Sequence, residues 1–118
     1  MEQGKTIVIA GQDIQLTDFL TIELSKAFHH VYTAPDGEVG FHLAKTVHPD
    51  LTVVDSFMPR LDGLSTLKKI RETPETHDLK IALFTTSNED VKSIEPVTVL
   101  RKDVSPEKIV DEIEKLLK

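Results

Sequence analysis

The chain has 118 residues, of which 39% are hydrophobic and 29% are charged, and this predicts a single domain spanning residues 1–118. The 14 Lys and Arg residues against 20 Asp and Glu residues give a formal net charge of −6, which argues against nucleic acid and anionic membranes as partners. Cysteine is absent and no apolar run is long enough for a signal peptide or a membrane span, so we exclude disulfide frameworks and expect a cytoplasmic protein.

Five short segments are predicted to form β-strands. Four of them are apolar, rich in β-branched residues and continuous rather than alternating, which is typical of strands covered on both faces. The second segment is more polar and suits the edge of a sheet. In chain order the segments are residues 7–10, 30–34, 51–54, 81–84 and 97–100.

Helical periodicity appears after four of these segments. The last helix begins with a capping Ser105, Pro106 at its first position and Glu107 in its first turn. On the third helix, Lys68, Lys69 and Arg71 are interpreted as a solvated face. The apolar stripes consist of Leu16, Leu20, Leu24 and Ala27 with Phe19 and Phe28 beside them; Gly40, Leu43, Ala44 and Val47; Leu64, Leu67 and Ile70; and Ile109, Val110, Ile113, Leu116 and Leu117.

The alternation of strands and helices predicts parallel βαβ units in a doubly wound α/β sheet. The weakest part of this pattern is residues 85–96, which must connect two parallel strands and would ordinarily form a full helix. Only Val91 and Ile94 give the segment an apolar face, and Pro96 ends it. We therefore expect two helical turns at most, capped by Ser87 or Asn88.

Polar residues follow the predicted strands, at the sheet edge where open α/β folds bind their ligands. A carboxylate, a hydroxyl and a lysine that converge there indicate phosphoryl chemistry, in which the carboxylate can act as the nucleophile. The residues in question are Gly11, Gln12 and Asp13 after the first strand, Asp55 after the third, Thr85 after the fourth and Lys102 after the fifth.

The sequence VDSFMPRLDG at residues 54–63 resembles the phospho-acceptor loop of response regulator receiver domains, the CheY-like fold of two-component signalling. Residues 33–38 and 104–107 are similar to the entries of the second and last receiver helices, and Thr85 and Lys102 match single positions. The resemblance covers essentially the whole chain. It implies a five-stranded parallel sheet of order 2-1-3-4-5.

The resemblance also implies roles for individual residues. Asp55 would accept a phosphoryl group from a histidine kinase, and Thr85 and Lys102 would contact that group. Mg²⁺ would be held by the Asp55 carboxylate, by the backbone carbonyl of Phe57 and by an acidic pair after the first strand. That pair is missing, because Gly11 and Gln12 occupy its two positions.

Further departures from the family pattern affect the expected activity. Asp13 falls one place late for the acidic pair and is a doubtful metal ligand, so Mg²⁺ is expected to bind weakly. Lys102 follows Thr85 by 17 positions, fewer than in the family, which predicts a shortened fourth helix between the fourth and fifth strands. Val99 replaces the usual aromatic residue, and Asp103 replaces a proline.

Three hypotheses follow from these observations. The first is an atypical receiver domain, not an enzyme, that binds a protein partner and has weak or absent phosphorylation at Asp55. Self-association through the fifth strand and the last helix belongs to this hypothesis. The second is a fully functional receiver that accepts a phosphoryl group from a histidine kinase. The third is a small α/β flavin or nucleotide enzyme, for which no glycine-rich fingerprint is present.

Overall fold

A computed structural model of the protein describes residues 4–118. Five strands alternate with four α-helices and one 3₁₀ turn, which confirms the predicted α/β class. The elements are β1 (Thr6–Ala10), α1 (Ile14–Lys26), β2 (His30–Ala34), α2 (Gly37–Val47), β3 (Leu51–Asp55), α3 (Gly63–Glu72), β4 (Ile81–Thr85), the 3₁₀ turn (Lys92–Ile94), β5 (Thr98–Arg101) and α4 (Pro106–Leu116).

All five strands are parallel and lie in the order β2-β1-β3-β4-β5, as expected. Every residue of β3 and β4 is buried, whereas most residues of β2, at one edge, are partly or fully exposed. This explains why the first two read as continuous apolar runs and the last as a polar one. Because the strands are all parallel, the carboxyl ends of β1, β3, β4 and β5 lie at the same end of the sheet.

Each face of the sheet carries its own core layer. Side chains of α1 and α4, such as Leu24 and Ile113, pack on one face together with Leu100 of β5. On the other face, Leu67 of α3 packs with Ile94 of the 3₁₀ turn and with residues of α2. None of the helices in residues 4–118 has both the length and the apolar character needed to cross a membrane.

Helix starts are fixed by side chains that accept a backbone N–H from three residues further on, which satisfies one of the free donors of the first turn. Ser105 caps α4 in this way, as predicted. The other three helices are capped by Asp13, Asp36 and Asp62.

Phe28 lies just beyond the C-terminal end of α1. It has a left-handed φ of 67° and is 68% exposed, so it does not extend the apolar stripe of that helix as predicted.

The connection between β4 and β5 contains only the three-residue 3₁₀ turn, which is shorter than the limit of two helical turns predicted for this segment. The expectation that Ser87 or Asn88 caps it is wrong: the turn begins at Lys92, and its N-cap residue is Val91, which makes no side-chain cap hydrogen bond. The Ser87 hydroxyl instead donates to Glu89, since both side chains lie on the same short loop.

Arg71 corrects a second expectation, because its side chain is only partly solvated. The guanidinium donates to four backbone carbonyls, and burial lowers its pKa from the ordinary value while nearby Asp78 opposes that shift. The end of α3 lies beside two loops whose carbonyls lack strand partners, and a planar group with five donors can satisfy several of them. The accepting residues are His77, Leu79, Ile94 and Pro96.

Candidate functional site

Asp55 is the last residue of β3 and is only 4% exposed. Its Oδ1 accepts the backbone N–H of Phe57 at 3.0 Å, and its Oδ2 accepts from Lys102 Nζ at 2.7 Å. A carboxylate this deeply buried requires hydrogen bonds and an opposite charge, and both are provided. Phe57, by contrast, exposes 79% of its surface beside the site.

Lys102 reaches Asp55 because β5 is paired with β4. The Lys102 N–H donates to the Thr85 carbonyl at 3.1 Å, which continues the strand register by one residue. From there the side chain runs over Phe84, with Nζ 5.7 Å from the ring centroid. The ion pair expected between Lys102 and Asp55 is therefore present, with side chains 23% and 5% exposed.

Thr85 ends β4 and is 1% exposed. Its Oγ1 lies 3.1 Å from Ser56 Oγ and 3.2 Å from Ser87 Oγ, and it accepts the Ser87 backbone N–H at 3.1 Å. Sequence reasoning missed Ser56, Ser87 and Glu89 as members of this site. The only available clue was position, since Ser56 follows Asp55 and Ser87 lies two residues after Thr85.

The residues that follow β1 offer few ligand atoms to the site. A Cβ placed on Gly11 would lie 3.3 Å from the Asp55 Cβ, so Gly11 is directly beside the carboxylate and offers no ligand atom. Gln12 is exposed. Asp13 is engaged as the cap of α1, where its Oδ1 accepts from the Leu16 N–H at 3.2 Å.

The loop from Asp55 to α3 is held tightly against the end of β3. A Cβ on Gly63 would lie 2.2 Å from the Asp55 carbonyl oxygen, so only glycine fits at that position. Asp62 caps α3, and Arg60, with a left-handed φ of 68°, contacts Asp36 at 3.4 Å. The Asp-Gly of the sequence motif thus serves the loop geometry.

Two clefts differ in their relation to this site. A cleft of about 340 Å³ lies next to Lys102, between α1 and the start of α4, and is lined by Leu16, Phe19 and Val104 among others. A second cleft of about 600 Å³ lies at the other end of the strands, near Ile81. Its position at the start of β4 separates it from the Asp55 chemistry.

Comparison with known proteins identifies relatives of this chain. Residues 7–114 match the model of the response regulator receiver domain family. Over 93 residues the chain is 36% identical to the transcriptional regulatory protein YdfI of Bacillus subtilis, covering 75% of this chain and 42% of that protein. It is 37% identical over 91 residues to a probable C4-dicarboxylate response regulator, DctR, of Halalkalibacterium halodurans, covering 77% and 37%.

Several solved structures share the fold of this chain. The chemotaxis response regulator CheY4 of Vibrio cholerae has a TM-score of 0.85 at 21% identity, covering 98% of this chain and all of that one. A receiver domain of a Francisella response regulator has a TM-score of 0.83 at 22% identity, covering 97% of both chains. The chain spans less than half the length of the curated relatives that it matches.

Proposed function

This chain belongs to the response regulator receiver domain family of two-component signalling, and on that basis we propose that it is an atypical receiver in which Mg²⁺-dependent phosphorylation of Asp55 is weak or absent. Asp55 is the acceptor, and Thr85 and Lys102 are the side chains available to contact a phosphoryl group. The domain, proposed to span residues 1–118, acts mainly by binding a protein partner rather than by catalytic turnover.

The observation that carries this proposal is the asymmetry around Asp55. Lys102 Nζ is 2.7 Å from the carboxylate, so one negative charge faces one positive charge without a cation. On the other side, Gly11 supplies no side chain and Gln12 supplies only an amide. A phosphoryl group on Asp55 would be stabilised by Lys102 without the divalent cation that usually spreads the charge.

Mg²⁺ itself does not fit the residues present. The ion prefers an octahedral set of oxygen ligands, with carboxylates foremost. Among residues 4–118 no group of three or more His, Asp or Glu side chains could hold a metal. Asp55 is already paired with Lys102 and Asp13 caps α1, which leaves the Phe57 carbonyl as a ligand without a supporting acidic pair.

The test is an Mg²⁺ titration combined with labelling of Asp55 by acetyl phosphate. We expect Gln12→Asp to strengthen Mg²⁺ binding at least about tenfold and to accelerate labelling, because it adds one carboxylate ligand. Gly11→Asp is expected to help less, since its Cβ would lie 3.3 Å from the Asp55 Cβ and one of the two must shift.

The matched control is Asp13→Asn, which removes a charge beside Gln12 but keeps an oxygen that can cap α1. We expect this control to leave Mg²⁺ affinity unchanged. Tight binding by the native protein that the Asp13→Asn change abolishes would favour the second candidate, a fully functional receiver that takes its phosphoryl group from a histidine kinase. That candidate is supported by the convergence of Asp55, Thr85 and Lys102 at one edge.

A binding surface for the partner is proposed on the side of β5 that the 3₁₀ turn leaves uncovered. Val99 is 42% exposed there, and Val97 is half-buried on the same side of the strand. Exposed apolar surface at a sheet edge is typical of interaction sites. We propose a second copy of the chain as one occupant, in contact through β5 and α4.

Val99→Lys tests this surface by its effect on self-association in analytical ultracentrifugation. Val39→Lys on α2 is the matched control, because Val39 is 39% exposed and the substitution is the same. We expect only Val99→Lys to weaken self-association and Asp55→Ala to leave it unchanged. Association that survives Val99→Lys but is lost in Asp55→Ala would instead indicate binding gated by phosphorylation.

A further inference from the structure

The structure joins three hydroxyl groups and one carboxylate into a continuous chain beside Asp55. Ser56 Oγ is 3.1 Å from Thr85 Oγ1, which is 3.2 Å from Ser87 Oγ, which is 2.5 Å from Glu89 Oε2. The chain begins at the residue after the acceptor and ends on the loop that leads to the 3₁₀ turn. Only Thr85 in it is fully buried.

The direction of every proton in this chain follows from its last member. A carboxylate accepts hydrogen bonds and cannot donate one, so the Ser87 hydroxyl must donate to Glu89. Ser87 Oγ can then only accept from Thr85. Thr85 Oγ1 has two lone pairs left, which receive the Ser87 backbone N–H at 3.1 Å and the hydroxyl of Ser56.

We propose that Glu89 is a positioning residue that, through Ser87, holds the single proton of the Thr85 hydroxyl on Ser87 Oγ. Thr85 is thereby fully hydrogen-bonded before any phosphoryl group arrives. To contact such a group, its proton must leave Ser87 Oγ, and a hydrogen bond made in the resting state is lost. The chain therefore restrains phosphorylation independently of the missing metal ligands.

The consequence for reactivity rests on the proposed function of Asp55 as acceptor. Ser87→Ala removes the oxygen that receives the Thr85 proton, so that this buried donor no longer has to leave Ser87 in order to contact a phosphoryl group. We expect acetyl phosphate to label this variant about fivefold faster than the native protein, since one neutral hydrogen bond no longer has to be broken. That ratio corresponds to ~1 kcal/mol in the barrier.

Glu89→Gln has a smaller expected effect of about twofold, because the amide can either accept from Ser87 or donate to it and so permits both directions of the chain. Ser56→Ala tests whether the orientation of the Thr85 proton matters, or only the loss of a hydrogen bond in the chain. This variant also breaks the chain, but it leaves the Thr85 proton on Ser87, so we expect it to be labelled no faster than the native protein. Glu95→Gln, the same charge change on the same loop outside the chain, is the matched control.

The orientation is measured separately by NMR, from the nuclear Overhauser contacts of the Thr85 hydroxyl proton. In the native protein we expect contacts that place the proton on the Ser87 side of the hydroxyl, and in Ser87→Ala we expect the proton to move away from residue 87. A native proton already directed at Asp55, or equal acceleration by Ser56→Ala and Ser87→Ala, overturns the inference. Failure of every variant to label, including Gln12→Asp with its added carboxylate, would overturn the acceptor function, while the NMR contacts would still decide the direction of the chain.

Discussion

The crossovers that precede and follow β4 both connect parallel strands, but they differ in structure. From β3 to β4 the chain uses the ten-residue helix α3, with Leu67 and Ile70 fully buried on its inner side. From β4 to β5 it uses a three-residue 3₁₀ turn, in which Ile94 is the one buried residue. Parallel strands normally require a helix between them, so the second crossover must be held by other contacts.

Arg71 provides those contacts from the neighbouring crossover. It lies in the last turn of α3 and donates to the carbonyls of Ile94 and Pro96 in the shorter connection and to two more in its own. A guanidinium at a helix end thus replaces part of the hydrogen bonding and packing that a full helix would supply. The comparison indicates that the end of the short crossover, from the 3₁₀ turn to Pro96, depends on Ile94 and Arg71.

The largest expected effect comes from the apolar anchor. Ile94→Ala should lower the free energy of unfolding by about 3 kcal/mol, because it opens a cavity in a fully buried layer. Leu67→Ala in α3 is the matched control, since both side chains are 0% exposed. Urea denaturation measures both losses. Equal losses would mean that the short crossover depends on Ile94 as much as the helical crossover depends on Leu67. A loss below about 1 kcal/mol for Ile94→Ala alone would mean that the short connection is dispensable.

Arg71 is expected to contribute somewhat less. Arg71→Met keeps the aliphatic stem but leaves four carbonyls to find water, and we expect a loss of about 2 kcal/mol in the free energy of unfolding. Lys68→Met, on the exposed side of the same helix, should change stability by less than about 0.5 kcal/mol. Similar values for the two variants would contradict the role assigned to the guanidinium.

Local opening should distinguish the crossovers at smaller free energies. Amides of residues 90–94 are expected to exchange with solvent through openings at least about 2 kcal/mol easier than those that expose Val53 and Val54 in β3. Hydrogen exchange measured residue by residue gives these values directly. Equal protection in the two regions would show that Arg71 and Ile94 hold the short connection as firmly as the central strand.

Sequence patterns were sufficient for the strands and for most of the helices. Continuous apolar runs such as residues 51–54 and 81–84 are typical of strands covered on both faces, and the cap at Ser105 marks where the last helix begins. The observed β5 is shifted by one residue from the predicted 97–100. Arg71 was assigned to solvent because helical periodicity describes one helix and says nothing about carbonyls on a neighbouring loop.

The site was predictable to the extent that it depends on strand ends. Asp55 and Lys102 each follow a strand, so parallel pairing brings them together, and the pair is present. The hydroxyl chain from Ser56 to Glu89 could not be predicted, because it depends on distances between two loops and on which oxygen holds each proton. Serine and glutamate in a loop are otherwise ordinary solvated residues.

The smallest expected effect is a pH dependence in the local stability of residues 86–88, at the start of the short crossover. Arg101 donates to the carbonyls of Thr86 and Ser87, and it is itself held by Asp103 at 2.9 Å. The hydrogen bonds that Arg101 donates to Asp103 lower the pKa of the Asp103 carboxyl and raise the pKa of the Arg101 guanidinium. A lowered carboxyl pKa means that the pair stabilises the fold only while Asp103 is ionised.

This stabilisation is complete above the unfolded pKa of an aspartate, about 4, and is lost as the pH falls through the lower folded value. Asp103→Asn is the matched variant, because it lacks the charge at every pH. The amides of residues 86–88 should exchange slightly more slowly in the native protein than in this variant near pH 6, and the difference should diminish as the pH falls below about 4. Since both side chains are largely solvated, equal exchange in the two proteins near pH 6 would assign the hold to the backbone contacts of Arg101 and not to its pairing with Asp103.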